Sequence, residues 1–90
     1  MTIKFQIIYW RDIPAQVKVR EGRNRGGKPL SQRFPVAIDE AAMRAGKTDS
    51  ADYLAGWRKS LWKEQEDDLD RLVSKLEEEY PHERLQKLID

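Results

Sequence analysis

The stretch "IKFQIIYWRDIPAQVKVR", residues 3 to 20, decides the fold, because it alternates apolar and polar side chains on both sides of a short polar corner. One face of its first half carries Ile3, Phe5, Ile7 and Tyr9, and one face of its second half carries Ala15, Val17 and Val19. A period of two residues is typical of a β-strand. Pro14 lacks an amide proton and suits the start of a strand. The pattern predicts an antiparallel β-hairpin over residues 2–20.

The next stretch is basic and rich in glycine. Residues 21–32 read "EGRNRGGKPLSQ", with three glycines, one proline and three cationic side chains. This composition predicts an exposed loop. A short third strand near residues 28–31 is the alternative, because the edge of the hairpin has to be covered or blunted.

Residues 33–90 change to a helical period. Phe34, Ile38, Ala41 and Ala45 share one face, and Gly46 suits the residue just past a helix end. A second helix is predicted to open in "TDSADYLAGW", residues 48–57, with Leu54, Trp57 and Leu61 on one stripe. A stripe from Leu69 to Tyr80 predicts a third, and Pro81 separates it from a short C-terminal segment. Whether residues 50–79 form one helix or two stays open.

Length and composition indicate one folded domain, residues 1–90. Apolar residues make up 39% of the chain and charged residues 37%. The order of strands and helices predicts an α+β fold, in which the hairpin, with or without a third strand, packs against three or four helices. The chain contains no cysteine, which excludes disulfides and thiolate metal sites. Since no long apolar run occurs, we expect a cytoplasmic protein and no membrane association.

The net charge of +1 hides two poles of opposite sign. Residues 1–33 hold eight Lys and Arg against two acidic residues, whereas residues 65–90 hold four against nine. Such poles pair within one fold, between two copies of the chain, or with partners of opposite sign. Homodimerisation through an edge strand or the C-terminal stripe is therefore one expectation.

No set of catalytic residues or metal ligands converges in the sequence. The single histidine, His82, stands near the C-terminus and is expected to be solvated. The run Glu77–Glu79 is expected to be a solvated helix face, because consecutive helical side chains point about 100° apart. The glycines at 22, 26 and 27 fit neither nucleotide-binding fingerprint. We expect no cofactor, no metal and no enzymatic activity.

The strongest binding candidate is the cationic flank of the hairpin. Its members are Lys18, Arg20, Arg23, Arg25 and Lys28. Cations that alternate along a strand and continue into a loop suit a phosphate backbone or an acidic protein surface. Cations on an edge strand also serve solubility alone, which is the competing interpretation.

A second candidate is the corner formed by Trp10, Arg11 and Asp12. Tyr9 and Trp57 are expected in the core, whereas Trp10 and Trp62 are expected to be exposed and available as interface anchors. A guanidinium beside an indole, oriented by an acid, suits a carboxylate or phosphate of a partner. The competing interpretation is a corner closed by local hydrogen bonds, with Trp10 covering the outer face of the sheet.

A resemblance to a known family rests on particular residues. They are Tyr9-Trp10-Arg11-Asp12-Ile13-Pro14-Ala15-Gln16-Val17, followed by Arg33-Phe34, Ala37-Ile38-Asp39, Ala41-Ala42-Met43, Tyr53-Leu54 and Trp57. Over about residues 3–60 the chain resembles the small bacterial virulence factor domain family, named after the staphylococcal conserved virulence factor C. The resemblance implies an accessory or interaction role in bacteria and carries over no catalytic residue.

We therefore expect a non-catalytic accessory or protein-interaction domain whose partner is a protein, with an acidic partner surface as one option. Two alternatives remain. Residues 28–57 are superficially similar to ribbon-helix-helix DNA-binding proteins, so nucleic acid ranks second as a partner. The second alternative is a subunit of a cofactor-dependent enzyme complex.

Overall fold

A computed structural model describes residues 3–46, 49–64 and 68–89. Positions 1–2, 47–48, 65–67 and 90 of the predicted ranges lie outside the described residues. The elements follow one another as β1 (Ile3–Trp10), β2 (Ile13–Glu21), β3 (Asn24–Pro29), α1 (Arg33–Arg44), α2 (Ser50–Ala55), β4 (Trp57–Lys59), β5 (Lys63–Glu64), α3 (Leu69–Glu79) and α4 (His82–Ile89). The α+β class, the antiparallel hairpin and its packing against helices are confirmed.

The hairpin is formed by β1 and β2. Phe5 pairs with Val19 and Ile7 with Val17, so the apolar sets predicted on the two strands share a face. The register then shifts: Ile8 pairs with Gln16 and Tyr9 with Pro14, which leaves Ala15 unpaired with β1. Because of this bulge, the side chains of β2 before Ala15 point to the opposite sheet faces from those that the alternation after Ala15 predicts for them.

The predicted loop at residues 21–32 is wrong, since residues 24–29 form β3 and pair with β2 along their whole length. The alternative, a short third strand near residues 28–31, is closer to the structure, although the strand begins four residues earlier. Two glycines, which disfavour strands, concealed it in the sequence. At Gly27 a Cβ would lie 2.9 Å from the backbone oxygen of Val17, so a glycine is required for this close approach to β2.

The first and last predicted helices are confirmed. Helix α1 ends at Arg44, and Gly46 follows with a φ of 70°, in the left-handed region. Pro81 separates α3 from α4 as expected. Asp68 caps α3 by accepting a hydrogen bond of 2.8 Å from the backbone N–H of Arg71.

The segment between these helices differs from the prediction. Helix α2 has only six residues, while residues 57–59 and 63–64 form β4 and β5, which pair with β1. Residues 33–90 are therefore not a purely helical part, and the described residues between 50 and 79 include two separate helices, α2 and α3. Leu54 and Leu61 are 65% and 80% exposed, so their stripe has no core to cover. The open edge of β1 explains the difference, because its unpaired backbone groups bind the segment as strands.

The sheet order is β3-β2-β1-β4, with β5 also on β1. On one face, Phe5 and Val17 pack in the core with Val73 and Leu76 of α3. The core continues through Phe34 and the alanines of α1 to Leu85 and Ile89 of α4. None of the helices in the described part of the chain has the length and apolar character needed to span a bilayer.

Candidate functional site: the hairpin corner and the cationic sheet face

The corner between β1 and β2 is held in a strained conformation. Arg11 has a φ of 53°, in the left-handed region that non-glycine residues rarely adopt. Its backbone N–H donates to the backbone oxygen of Gly56 at 2.8 Å, and its own carbonyl accepts a bond of 2.6 Å from Nε of Arg58. Because both backbone groups are bound, the surrounding structure fixes a conformation that costs about 1 kcal/mol or more.

The side chain of Arg11 is exposed and lies over the Trp10 ring, with 5.1 Å between the guanidinium carbon and the ring centroid. Within the described residues its guanidinium has no hydrogen-bond or ion-pair partner. Asp12 instead lies 3.6 Å from Arg58, whose guanidinium also stacks on Tyr9 at 4.3 Å. Asp12 therefore orients Arg58 rather than Arg11.

Arg58 is the corner residue that sequence reasoning missed. It reaches the corner because β4 pairs Arg58 with Tyr9. No sequence signal indicates this pairing, since the helical stripe through Leu54, Trp57 and Leu61 assigns the segment to a helix. The described structure shows that the corner is built from two distant parts of the chain.

The prediction that Trp10 is exposed is wrong, because its exposed fraction is 0%. Its Nε1–H donates to the backbone oxygen of Tyr53 at 2.8 Å, and the two rings stack with centroids 5.8 Å apart. Trp10 lies on the strand position next to Tyr9, as expected, but α2 and Gly56 cover that side of the sheet. Trp10 therefore supports the corner from below and is not itself available to a partner.

A groove of about 530 Å³ opens beside the corner. Its walls are residues 10–13 and the last turns of α1 and α4. Arg11 and Arg44 contribute guanidinium groups to it, while Ile13, Leu88 and Ile89 contribute apolar surface. This volume lies in the range of small-ligand or peptide side-chain sites, about 300–1,000 Å³.

The cationic flank divides between the two faces of the sheet. Lys4 pairs with Arg20, and Arg20 pairs with Arg25, so the three cations form one row across β1, β2 and β3. Lys18 stands two residues along β2 and shares their face. Lys28 stands opposite Val17 on the other face, where its Nζ pairs with Asp70 of α3 at 2.9 Å.

Arg20 of this row contacts an aromatic ring. Its guanidinium carbon lies 4.6 Å from the centroid of the half-buried Trp62. Nearby, Gln6 donates from Nε2 to the backbone oxygen of Ser60 at 3.0 Å, and the Ser60 hydroxyl accepts from the N–H of Ile7 at 2.9 Å. These bonds hold residues 60–62 beside β1, so the position of the Trp62 backbone is fixed.

The predicted site residues therefore do not form one surface. We name Lys4, Lys18, Arg20 and Arg25, together with Trp62, the cationic sheet face. Arg23 lies in the exposed turn between β2 and β3, and Arg11 and Asp12 lie at the opposite end of the hairpin. Six residues of β1 separate Trp10 from Lys4, which corresponds to about 20 Å. The corner and the cationic sheet face are two separate candidate sites.

Two tyrosine hydroxyls have shifted pKa values. Burial raises the pKa of Tyr9, and the neighbouring Tyr80 and Glu79 add to the rise while Arg58 opposes it. Burial and the charge of Asp39 raise the pKa of Tyr53. Both hydroxyls stay neutral at physiological pH, so they act as ring contacts and not as bases.

The run Glu77–Glu79 does not form a uniformly solvated face. Glu77 is half-buried, and its carboxylate accepts bonds of 2.7 Å from both the N–H and the hydroxyl of Ser31 and pairs with Arg33 at 2.8 Å. These contacts join α3 to the start of α1. Across the described ranges, no group of three or more His, Cys, Asp or Glu side chains could hold a metal ion.

Comparison with known proteins places the chain in one family. No curated protein and no solved structure matches it. A family described as "Virulence factor" matches residues 8–89, which include the corner, β2, β3 and all four helices. That span is most of the chain and contains the residues on which the resemblance was stated, so this chain belongs to the virulence factor family.

Proposed function

We propose that the chain is a non-catalytic interaction domain of a bacterial cytoplasmic protein family, and that its hairpin corner contacts a protein partner. The observation that supports this most directly is the conformation of Arg11. Its backbone is held at a φ of 53° by Gly56 and Arg58, while its guanidinium is exposed and has no polar partner among the described residues. Residues in sparsely populated backbone regions that their surroundings hold in place cluster at functional sites.

The chemistry of the corner favours a carboxylate-bearing polypeptide segment. A guanidinium presents its donors in a planar fork that matches a carboxylate. The Trp10 ring beneath Arg11 restricts the directions that the side chain samples, which lowers the entropy lost on binding. The adjacent groove offers apolar surface from the half-buried Leu88 to the rest of the segment.

The test removes the guanidinium and keeps the backbone. Asparagine tolerates the left-handed region, so Arg11→Asn should preserve the corner and lose the fork. The matched control is Lys28→Gln, which removes a cation from the opposite face of the sheet. Both variants and the wild type would be used as bait in a native lysate, with mass spectrometry, and each captured partner would then be titrated in purified form.

We expect the partner to bind Arg11→Asn about 10- to 150-fold more weakly than wild type, the effect of losing a charged hydrogen bond. Lys28→Gln should bind as wild type does. Equal affinity of Arg11→Asn and wild type for every captured protein would contradict a role of the corner.

The two alternatives stay predictions. In the ribbon-helix-helix arrangement a strand at residues 28–31 would enter the DNA groove, whereas here β3 pairs along its length with β2 of the same chain. Binding to duplex DNA at low salt that weakens as salt increases would support that alternative. Stable co-purification with a cofactor-containing enzyme would support the second.

A further inference from the structure

We propose that the cationic sheet face binds single-stranded nucleic acid. This goes beyond the proposed function, because the face begins about 13 Å from the hairpin corner along β1, at Lys18, and extends to about 20 Å, at Lys4. The proposal rests on three features of the described residues: a row of cations across three strands, a positioned indole next to that row, and an uneven distribution of charge between the two faces of the sheet.

The row gives the face its charge. Lys4, Arg20 and Arg25 are cross-strand neighbours, and Lys18 adds a fourth cation on the same face. Strands lie about 4.8 Å apart and alternate residues about 6.6 Å apart, so the four charges cover about 10 by 7 Å. Each of the four cations can contact one phosphate, so the patch suits about three to four phosphates of a single strand.

Among the described residues, most acidic side chains near the sheet lie away from the row of cations. Within the same part of the chain, Glu64 of β5 pairs with Lys4 and is an acid adjacent to the row. Asp70 and Glu77 of α3 contact Lys28, Ser31 and Arg33, on the side of the sheet that α3 covers. The opposite poles found in the sequence are thus partly separated in space, and the cationic sheet face has positive charge in excess of its acids.

The indole favours a nucleic acid over an acidic peptide. Trp62 is half-buried, and Arg20 lies over its ring at 4.6 Å. Proteins that bind single strands without sequence preference combine a positive surface with aromatic rings on which bases stack. An acidic peptide would use the cations but would gain nothing from a planar ring beside them. A base stacked on the Arg20 guanidinium or on the part of the Trp62 ring that it leaves exposed would use both the charge and the planar surface.

The experiment titrates the full chain with a fluorescein-labelled twelve-residue oligo-dT and follows anisotropy at several salt concentrations. About three to four phosphate contacts predict a slope of log K against log salt of about −2 to −3. The variant Lys18→Gln/Arg25→Gln should reduce the magnitude of this slope by about 1 and weaken binding at low salt at least tenfold. Lys28→Gln, on the other face, should bind as wild type does.

Two further variants distinguish stacking from charge and distinguish the cationic sheet face from the hairpin corner. Binding of Trp62→Leu should be weaker than wild type with an unchanged salt slope, since it removes stacking and no charge. Circular dichroism would confirm that each variant is folded. Arg11→Asn should keep its affinity for oligo-dT, so failure of the corner proposal would be distinguishable from failure of this one.

Three results with single-stranded DNA and peptide probes would overturn the proposal. They are the absence of oligo-dT binding at low salt, equal binding by Lys18→Gln/Arg25→Gln and wild type, and preferential binding of poly-glutamate over oligo-dT of equal charge. The last result would assign the face to an acidic protein. Tighter binding of duplex DNA than of oligo-dT would likewise overturn it in favour of the ribbon-helix-helix alternative.

Discussion

Gly56→Ala is expected to destabilise the protein, although its backbone gives no reason to. Gly56 has φ −76° and ψ −20°, a conformation that alanine adopts freely. In such a conformation Gly→Ala commonly stabilises by about 0.4–1 kcal/mol, because it restricts the unfolded chain. Backbone reasoning alone therefore predicts a more stable variant.

Contact with Trp10 reverses the sign. A Cβ at residue 56 would lie 2.5 Å from Nε1 and 2.6 Å from Cε2 of the Trp10 ring. The ring cannot move aside easily, since it is fully buried and its Nε1 donates to Tyr53. Forcing an extra carbon into a packed site costs about 1–3 kcal/mol. The stabilisation from the restricted unfolded chain offsets only part of this cost, so the free energy of unfolding should fall by about 1–2 kcal/mol. The total free energy of unfolding of a chain of this length is about 5–13 kcal/mol.

The assay is urea unfolding followed by far-ultraviolet circular dichroism, which reports mainly on the backbone and depends less on the tryptophans than fluorescence does. Gly26→Ala is the matched control, because its Cβ would make only an ordinary contact of 3.5 Å with Val19. It should change stability by less than about 1 kcal/mol. A double-mutant cycle with Trp10→Phe completes the test, because phenylalanine lacks Nε1. In that background Gly56→Ala should cost less by at least about 1 kcal/mol.

A Gly56→Ala variant as stable as wild type would refute this reasoning about the corner. It would mean that the indole does not occupy the space below Gly56. The same holds if Gly56→Ala costs as much in the Trp10→Phe background as in the wild type, since the clash would then involve other atoms.

Two further predictions concern the joint between α1 and α3 and the alkaline limit of stability. Glu77→Ala should lower the free energy of unfolding by about 1.5–3 kcal/mol, because it removes charged hydrogen bonds to Ser31 and Arg33. Asp70→Ala is the control and should lower it by under about 1 kcal/mol, because it breaks an exposed ion pair. Equal losses in urea unfolding would contradict the role of Glu77 in joining α1 to α3. Because burial raises the pKa of Tyr9 above its ordinary value of 10.0, the unfolded chain releases this proton first. The contribution of Tyr9 to stability is fully present below the pKa of the unfolded chain and is lost as the pH rises through the higher pKa of the folded state. The urea concentration at the unfolding midpoint should therefore fall above about pH 10, and it should fall less steeply in Tyr9→Phe. Identical pH profiles of the two proteins would disprove the contribution of Tyr9.

The sequence patterns correctly predicted the elements whose conformation depends mainly on neighbouring residues in the chain. The alternation from Ile3 to Val19 specified the hairpin, and Gly46 and Pro81 marked helix boundaries, because backbone conformation at such residues depends little on the rest of the chain. The alternation placed Phe5 and Val17 on the buried face for the same reason.

Long-range pairing accounts for what was not predicted. Strand β4 exists because β1 offers it an unpaired edge, and nothing between residues 48 and 61 encodes that edge. The exposure of Trp10 was misjudged through the same omission, since the residues that cover it follow α1. The strand at residues 24–29 was hidden by Gly26 and Gly27, whose placement reflects contact with β2 rather than intrinsic preference.

The pairing of β1 with residues 57–64 has a consequence for synthesis of the protein. The first strand leaves the ribosome early, yet its second neighbour is translated about fifty residues later. Until then a nascent chain displays a bare row of amides and carbonyls next to Ile7 and Ile8, a template for misassociation. Chains that terminate before residue 57 should therefore collect in inclusion bodies, whereas the full chain stays dispersed.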